Sequence, residues 1–97
     1  MNVEILPEAE ADLLECFNFY EDQNEGAGRN FVLSLYADID RLRSLGGIHA
    51  WAFGYQQMIA NKYPHAIYYK VVDGTVQVWA IIDCRRDPDW IKQRLSQ

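Results

Sequence analysis

Residues 66–82 read AIYYKVVDGTVQVWAII. The runs on either side of Asp73-Gly74 are rich in valine, isoleucine, tyrosine and tryptophan, residue types that suit a pleated, half-buried surface. Asp-Gly between such runs predicts a two-residue type I′ turn, whose twist matches that of its flanking strands. The turn sets a register. Val71 is expected opposite Val76, Tyr69 opposite Val78 and Ile67 opposite Ala80 on a core-like face. Lys70 then faces Gln77, and Tyr68 faces Trp79, on a face that mixes aromatic with polar groups and reads as half exposed.

Upstream of this hairpin, Tyr55–Ala60 alternates with the same period and predicts a third strand, and Asn2–Leu6 a short fourth. Between them the period becomes helical. Pro7 suits a first helical position, where its missing N–H costs nothing, and Glu8, Glu10 and Asp12 follow where the helix dipole favours acids. Leu13, Phe17 and Tyr20 form one apolar stripe; Phe31, Leu35, Ile39 and Leu42 form a second. Asn24-Glu25-Gly26-Ala27-Gly28 separates the two helices, and Gly46-Gly47 ends the second. Downstream, Pro88 starts a short helix in which Trp90, Ile91 and Leu95 pack down. The order β-α-α-β-β-β-α predicts an α+β fold: a helical hairpin packed on a mostly antiparallel sheet, with the helices gathered on one face.

At 97 residues the chain has room for one domain, residues 1–97, and 49% hydrophobic content gives it a core. The net charge of −5 argues against unaided nucleic-acid binding, whose affinity scales with phosphates neutralised. Acids dominate up to Asp40, however, whereas Lys62, Lys70, Arg85, Arg86, Lys92 and Arg94 make the later half locally basic. Cys16 and Cys84 fit no metal or redox spacing, so no metal and no cofactor is expected. The opening MNVEILPEAE lacks the features of a signal peptide, and no segment approaches a membrane span, so the expected location is the cytoplasm.

The opening LPEAEADLLECFNFYEDQN, the break GAG and the run YPHAIYYKVVDGTVQVWAIIDCRRDPDWIKQRL resemble the RelE/ParE superfamily of toxins from type II toxin–antitoxin systems. The resemblance spans nearly the whole chain and is closest to the ParE-like, plasmid stabilisation branch. It implies a bacterial toxin held by a cognate antitoxin protein. ParE-like members inhibit DNA gyrase; RelE-like members cut messenger RNA within the ribosome. An inactive relative that keeps only antitoxin binding is the third reading. The chain departs from the family pattern at three places. One is the C-terminal His/Tyr of some messenger-RNA-cutting relatives, in whose place this chain has Arg94-Leu95-Ser96-Gln97. Members often carry Gly-x-Arg at the start of the second strand, where this chain has Gly54-Tyr55-Gln56. Several carry a histidine before the terminal arginines, where this chain has Asp83.

RNA cleavage by 2′-hydroxyl attack needs a base, an acid and cations for the developing charge. Arg85 and Arg86 are the candidate cations, with Lys62 and His65 flanking Pro64 as possible helpers. Asp83, Asp87 and Asp89 surround the arginines, so pairing within the chain competes with phosphate binding. His65 has no acid beside it in sequence and reads as a surface or half-buried histidine. Cys84 and His65 lie on different strands and could approach, but no third member of a triad is evident. Tyr68 and Trp79 read equally as sheet shielding or as interface anchors. The missing arginine and the abundant acids favour a protein-docking surface of Tyr68, Lys70, Trp79, Arg85 and Arg86 over a nuclease centre.

Overall fold

The computed structural model describes residues 1–96. Its elements are β1 (Asn2–Ile5), α1 (Pro7–Gln23), α2 (Ala27–Leu45), β2 (Trp51–Ala52), β3 (Tyr55–Ile59), β4 (His65–Val72), β5 (Thr75–Asp83) and α3 (Pro88–Leu95). The five strands form one sheet in the order β1-β5-β4-β3-β2, antiparallel except for β1 against β5. The expected α+β class holds. The order gains one strand, β2, which the sequence reading lacked.

β2 was hidden by an atypical turn. Phe53 (φ 57°) and Gly54 (φ 84°) both take positive φ, as Asp73 (φ 50°) and Gly74 (φ 76°) do in the expected hairpin. Two positive φ values in a two-residue hairpin connection are the mark of a type I′ turn. A bulky aromatic residue rarely accepts that conformation, so Phe-Gly carries no turn signal in sequence.

The helical hairpin covers one face of the sheet. Ala9 and Leu13 of α1 and Phe31, Leu35, Ile39 and Leu42 of α2 pack on Met58, Ile67, Tyr69, Val76, Val78 and Ile81. The sheet-facing stripe of α1 runs Ala9, Leu13, Cys16, Tyr20, which keeps the expected Leu13 and Tyr20 but has Cys16 in place of Phe17. Phe17 turns towards α2 and is only half buried. The expected break also shortens, since Ala27 and Gly28 lie inside α2. At Gly28 the helices touch so closely that a Cβ would stand 2.5 Å from the Phe17 carbonyl oxygen.

The opposite face is not open. α3 lies there, burying Ile91 and Leu95 against Tyr55, Ala66, Tyr68, Ala80 and Ile82. The helices are therefore divided between two faces, rather than gathered on one as expected.

The hairpin register holds near its turn, with Val71 opposite Val76, Lys70 opposite Gln77 and Tyr69 opposite Val78. It then shifts. Tyr68 pairs with Ala80 and Ile67 with Ile81, so Trp79 is an extra residue in a β-bulge and has no cross-strand partner. The expected pairs Tyr68–Trp79 and Ile67–Ala80 do not form. One inserted residue exchanges the faces of β5: Val76 and Val78 meet the helical hairpin near the turn, and Ile81 does so beyond the bulge. Val71, expected to point at the hairpin, is exposed.

Candidate functional site

The segment Asp83-Cys84-Arg85-Arg86-Asp87-Pro88 ends β5 and begins α3. The Asp83 carboxylate accepts from the Arg85 backbone N–H at 2.8 Å, which folds the chain back as short side-chain-to-backbone bonds do. Asp87 caps α3 by accepting from Asp89 N–H at 2.8 Å, and Pro88 occupies its first turn. Arg85 grips Asp83 with two further bonds, Nε to Oδ1 at 3.0 Å and Nη2 to Oδ2 at 2.7 Å. These bonds hold the Asp83 carboxyl down at about 2. Arg86 forms no ion pair among the described residues and instead lies over the Trp90 ring, 4.1 Å from its centroid.

Behind this corner lies His65. It is 4% exposed and sits opposite Asp83 across the strands, boxed by Tyr20, Phe31 and Tyr63. The expectation of a surface or half-buried histidine with no acid nearby fails, because His65 is buried and cross-strand pairing supplies an acid that linear spacing does not. Burial lowers the His65 pKa, Asp83 opposes that and Arg85 adds to it, so the ring is neutral near pH 7. Its Nε2 is 3.8 Å from Cys16 Sγ, and its Nδ1 is buried with no partner. Burial, then Asp12, Glu15 and Asp83, push the Cys16 thiol up to about 11. Such a thiol is protonated and a poor nucleophile. Cys84, which the sequence left free to approach His65, is exposed; it bonds the Pro64 carbonyl through its own backbone N–H at 2.8 Å.

Cys16 and Tyr20 were missed as members of this corner. Their i, i+4 spacing on α1 was the available signal, but Phe17 was read on the stripe in place of Cys16. Lys62 does not join them; it lines a separate groove with Ser34, Asp38 and Asn61. Asp38, 4% exposed, fixes that loop by accepting from Asn61 N–H at 3.0 Å. Gln56, at the position where the resembled family often has arginine, is also 4% exposed and donates to the His49 carbonyl at 2.9 Å.

On the α3 face the expected docking residues separate. Tyr68 is 1% exposed, and its hydroxyl accepts from Gln57 Nε2 at 2.8 Å. It lies beneath α3 and offers no surface, which corrects the half-exposed face expected for it. Lys70 and Trp79 are half buried, and the Lys70 ammonium is 4.4 Å from the Tyr55 ring centroid and 5.8 Å from that of Trp79. Arg94 of α3 bonds Asp12 of α1 at 2.8 Å, with each side chain 18% exposed. Asp12 also accepts from the Ile81 N–H at 3.0 Å, and Arg94 reaches the Trp79 carbonyl at 3.5 Å. The ion pair thus covers β5 backbone beside the bulge, past the point where β1 stops pairing. Burial raises the Asp12 pKa even so, against the pull of Ile81 and Arg94.

The outer side of the helical hairpin carries an apolar groove of about 520 Å³, lined by Leu13, Leu14, Phe17, Val32 and Tyr36. Leu14 is 61% exposed and Tyr36 45%. Large apolar side chains grouped this way on a small domain mark an interaction surface.

Neither a protein-family model nor a curated protein sequence matches the chain. Among solved structures, it superposes on a chain of the chromosomal ParDE TA system from P. aeruginosa. The TM-score is 0.77, and the match covers 86% of this chain and 95% of that one at 15% identity. The fold is ParE/RelE-like. At this identity the likeness is one of architecture, reached through largely different residues, and it agrees with the resemblance read from the hairpin and its terminal arginines. Among the described residues no helix is long and apolar enough to cross a membrane.

Proposed function

We propose that this chain is the toxin of a type II toxin–antitoxin pair, held by a cognate antitoxin and acting by binding a cellular target of the DNA gyrase class. The observation that carries the reading is the pairing of a ParE-like fold with an unpartnered apolar groove along its helical hairpin. A groove between antiparallel helices accepts an amphipathic helix, read as apolar anchors at successive turns. An antitoxin tail that orders on binding needs such a broad apolar surface, together with a few charges to fix its register. Arg86, which forms no ion pair among the described residues, Arg85 beside it and the Lys70–Trp79 rim are the charged and aromatic contacts in this proposal. Acidic antitoxin residues face the two arginines.

Binding is favoured over RNA cleavage because three of the four candidate catalytic groups are committed elsewhere. Arg85 is bound to Asp83, His65 is buried and neutral, and Lys62 faces another groove. A general base must reach the proton that it abstracts, and His65 lies behind the corner.

The test is co-production with the product of the gene beside it. The toxin alone arrests bacterial growth, the neighbour's product relieves the arrest, and the two proteins copurify. Leu14→Glu, at an exposed position, retains toxicity and loses rescue. Copurification and rescue unchanged in Leu14→Glu would move the partner to another surface. Trp79→Ala weakens the complex by more than ~1 kcal/mol if the indole is an anchor. Unchanged affinity in both Trp79→Ala and Arg85→Ala would remove the sheet rim and the arginine corner from the interface.

A further inference from the structure

The sheet ends in two unlike edges. β1, on one side, carries the exposed Glu4 in its interior, and a charge of that kind keeps an open strand from pairing with another. β2, on the other side, has no such guard. From Ser44 to Asn61 the sequence contains no aspartate, glutamate, lysine or arginine, the longest uncharged stretch in a chain of net charge −5. Arg41, which acts on His49, and Lys70, held over the Tyr55 ring, approach it from α2 and β4. Within the stretch, Ile48 is 71% exposed and Trp51 67%, more than any other large apolar side chain, and Phe53 and Ile59 are exposed as well.

The backbone of this edge is open too. The Ala50 carbonyl accepts from the Gln57 N–H at 2.9 Å, so these two residues are a bonded pair at the start of β2. Bonded and non-bonded pairs alternate along an antiparallel ladder, so Trp51, opposite Gln56, turns its N–H and C=O away from β3. Ala60 donates to the His65 carbonyl at 2.8 Å, and the same alternation turns the backbone groups of Ile59 away from β4. No loop backbone bonds either residue among the described residues.

We propose that this edge is a homodimer interface, in which β2 pairs antiparallel with β2 of a second copy about a two-fold axis at Trp51. A residue with both backbone groups open is complementary to itself: the Trp51 N–H of each copy donates to the Trp51 carbonyl of the other. The two indoles then form a cross-strand aromatic pair, and the two five-stranded sheets become one. In this register Phe53 stands opposite His49 of the second copy. Charge selects the occupant. Two copies of a chain with net charge −5 repel each other, and they meet with least opposition where neither carries a charge. At β1 the same symmetry sets Glu4 near Glu4, which is destabilising. A partner of opposite charge finds nothing to pair with at β2 and is drawn to the acidic surface instead. The interface shares no residue with the groove or the arginine corner, and it stands whether or not the chain is a toxin.

Sedimentation equilibrium of the purified full chain reads the association. The mass should rise from 11.3 kDa towards twice that value as concentration increases. Trp51→Lys, at an exposed position that leaves folding intact, should weaken association by about tenfold or more, as loss of an aromatic anchor does. Leu14→Glu, in the groove, should leave it unchanged. A bonded antiparallel pair holds its Cα atoms about 5.5 Å apart, within disulfide reach, so Trp51→Cys in a Cys84→Ser background should oxidise to a covalent dimer. Ala50→Cys in the same background, displaced along the strand from its own copy, should not. A mass of 11.3 kDa at every concentration, association that survives Trp51→Lys, or association lost in Leu14→Glu would overturn the interface. No cross-link through Trp51→Cys, or an equal one through Ala50→Cys, would overturn the two-fold register.

Discussion

Gly28 has no side chain because α1 leaves no room for one. Gly28→Ala would gain helix propensity of up to about 1 kcal/mol, but its Cβ would collide with the backbone of Phe17. Overpacking against backbone costs about 1–3 kcal/mol, so net destabilisation is expected on chemical denaturation. A variant as stable as the parent would contradict the close approach. The α2 cap is Gly26, which has no side chain to close the helix, and Glu21 of α1 does so instead. Its carboxylate accepts from the N–H groups of Gly26 and Gly28, each at 3.0 Å. These bonds lower its pKa below 4.5, against some desolvation. A carboxyl with a depressed folded-state pKa adds stability that is present above the unfolded value and lost as pH falls through the folded one. Glu21→Gln should therefore melt lower than the parent at pH 7, and the gap should close as pH falls below 4.5. A gap independent of pH would mean that the charge contributes nothing. This residue, like the Cys16–His65 contact, could not be read in sequence. Each depends on where an element's neighbour lies, whereas Asp73-Gly74 encodes its turn within two positions.

The helical hairpin was legible because each helix carries its own 3.6-residue period, bounded by proline and glycine. What slipped was one member of the α1 stripe, since Phe17 is a stronger apolar signal than Cys16 yet turns to the side. That exchange has a measurable consequence. Ile39 is 3% exposed and in the core, so Ile39→Ala should cost about 2–5 kcal/mol. Phe17→Ala should cost less, despite removing more atoms, because half of that ring faces the groove. The opposite ranking by urea denaturation would restore Phe17 to the core. At the other face, α3 is secured by the Tyr55 hydroxyl, which donates to the Leu95 carbonyl at 2.9 Å in a buried setting. Tyr55→Phe should cost about 0.5–1.5 kcal/mol and speed amide exchange in α3 before the rest of the chain. Uniform loss of protection across the molecule would show that α3 has no separate hold. The docking of α3 over Tyr68 was hidden because eight residues with three apolar positions do not reveal which face of a sheet they will cover. The bulge at Trp79 was hidden because an extra residue in a strand leaves the run of β-forming residues unbroken.

At the scale of the whole molecule, one sheet separates two kinds of surface. The helical hairpin offers an apolar groove on its outer side, and the strand end carries two arginines, one neutralised by Asp83 and one resting on Trp90. A toxin that acts by binding can use such surfaces without a catalytic centre, whereas a nuclease needs its base, acid and cations assembled around the scissile phosphate. These alternatives separate most directly when DNA synthesis, protein synthesis and message integrity are followed together after the chain is induced in a bacterium that lacks the antitoxin. Incorporation of labelled thymidine should fall first, with cells filamenting while messages stay intact and translation continues. Rapid, codon-specific loss of message, abolished by Arg85→Ala, would contradict the binding mechanism and place an endonuclease at the arginine corner; undisturbed growth would contradict the toxin assignment itself.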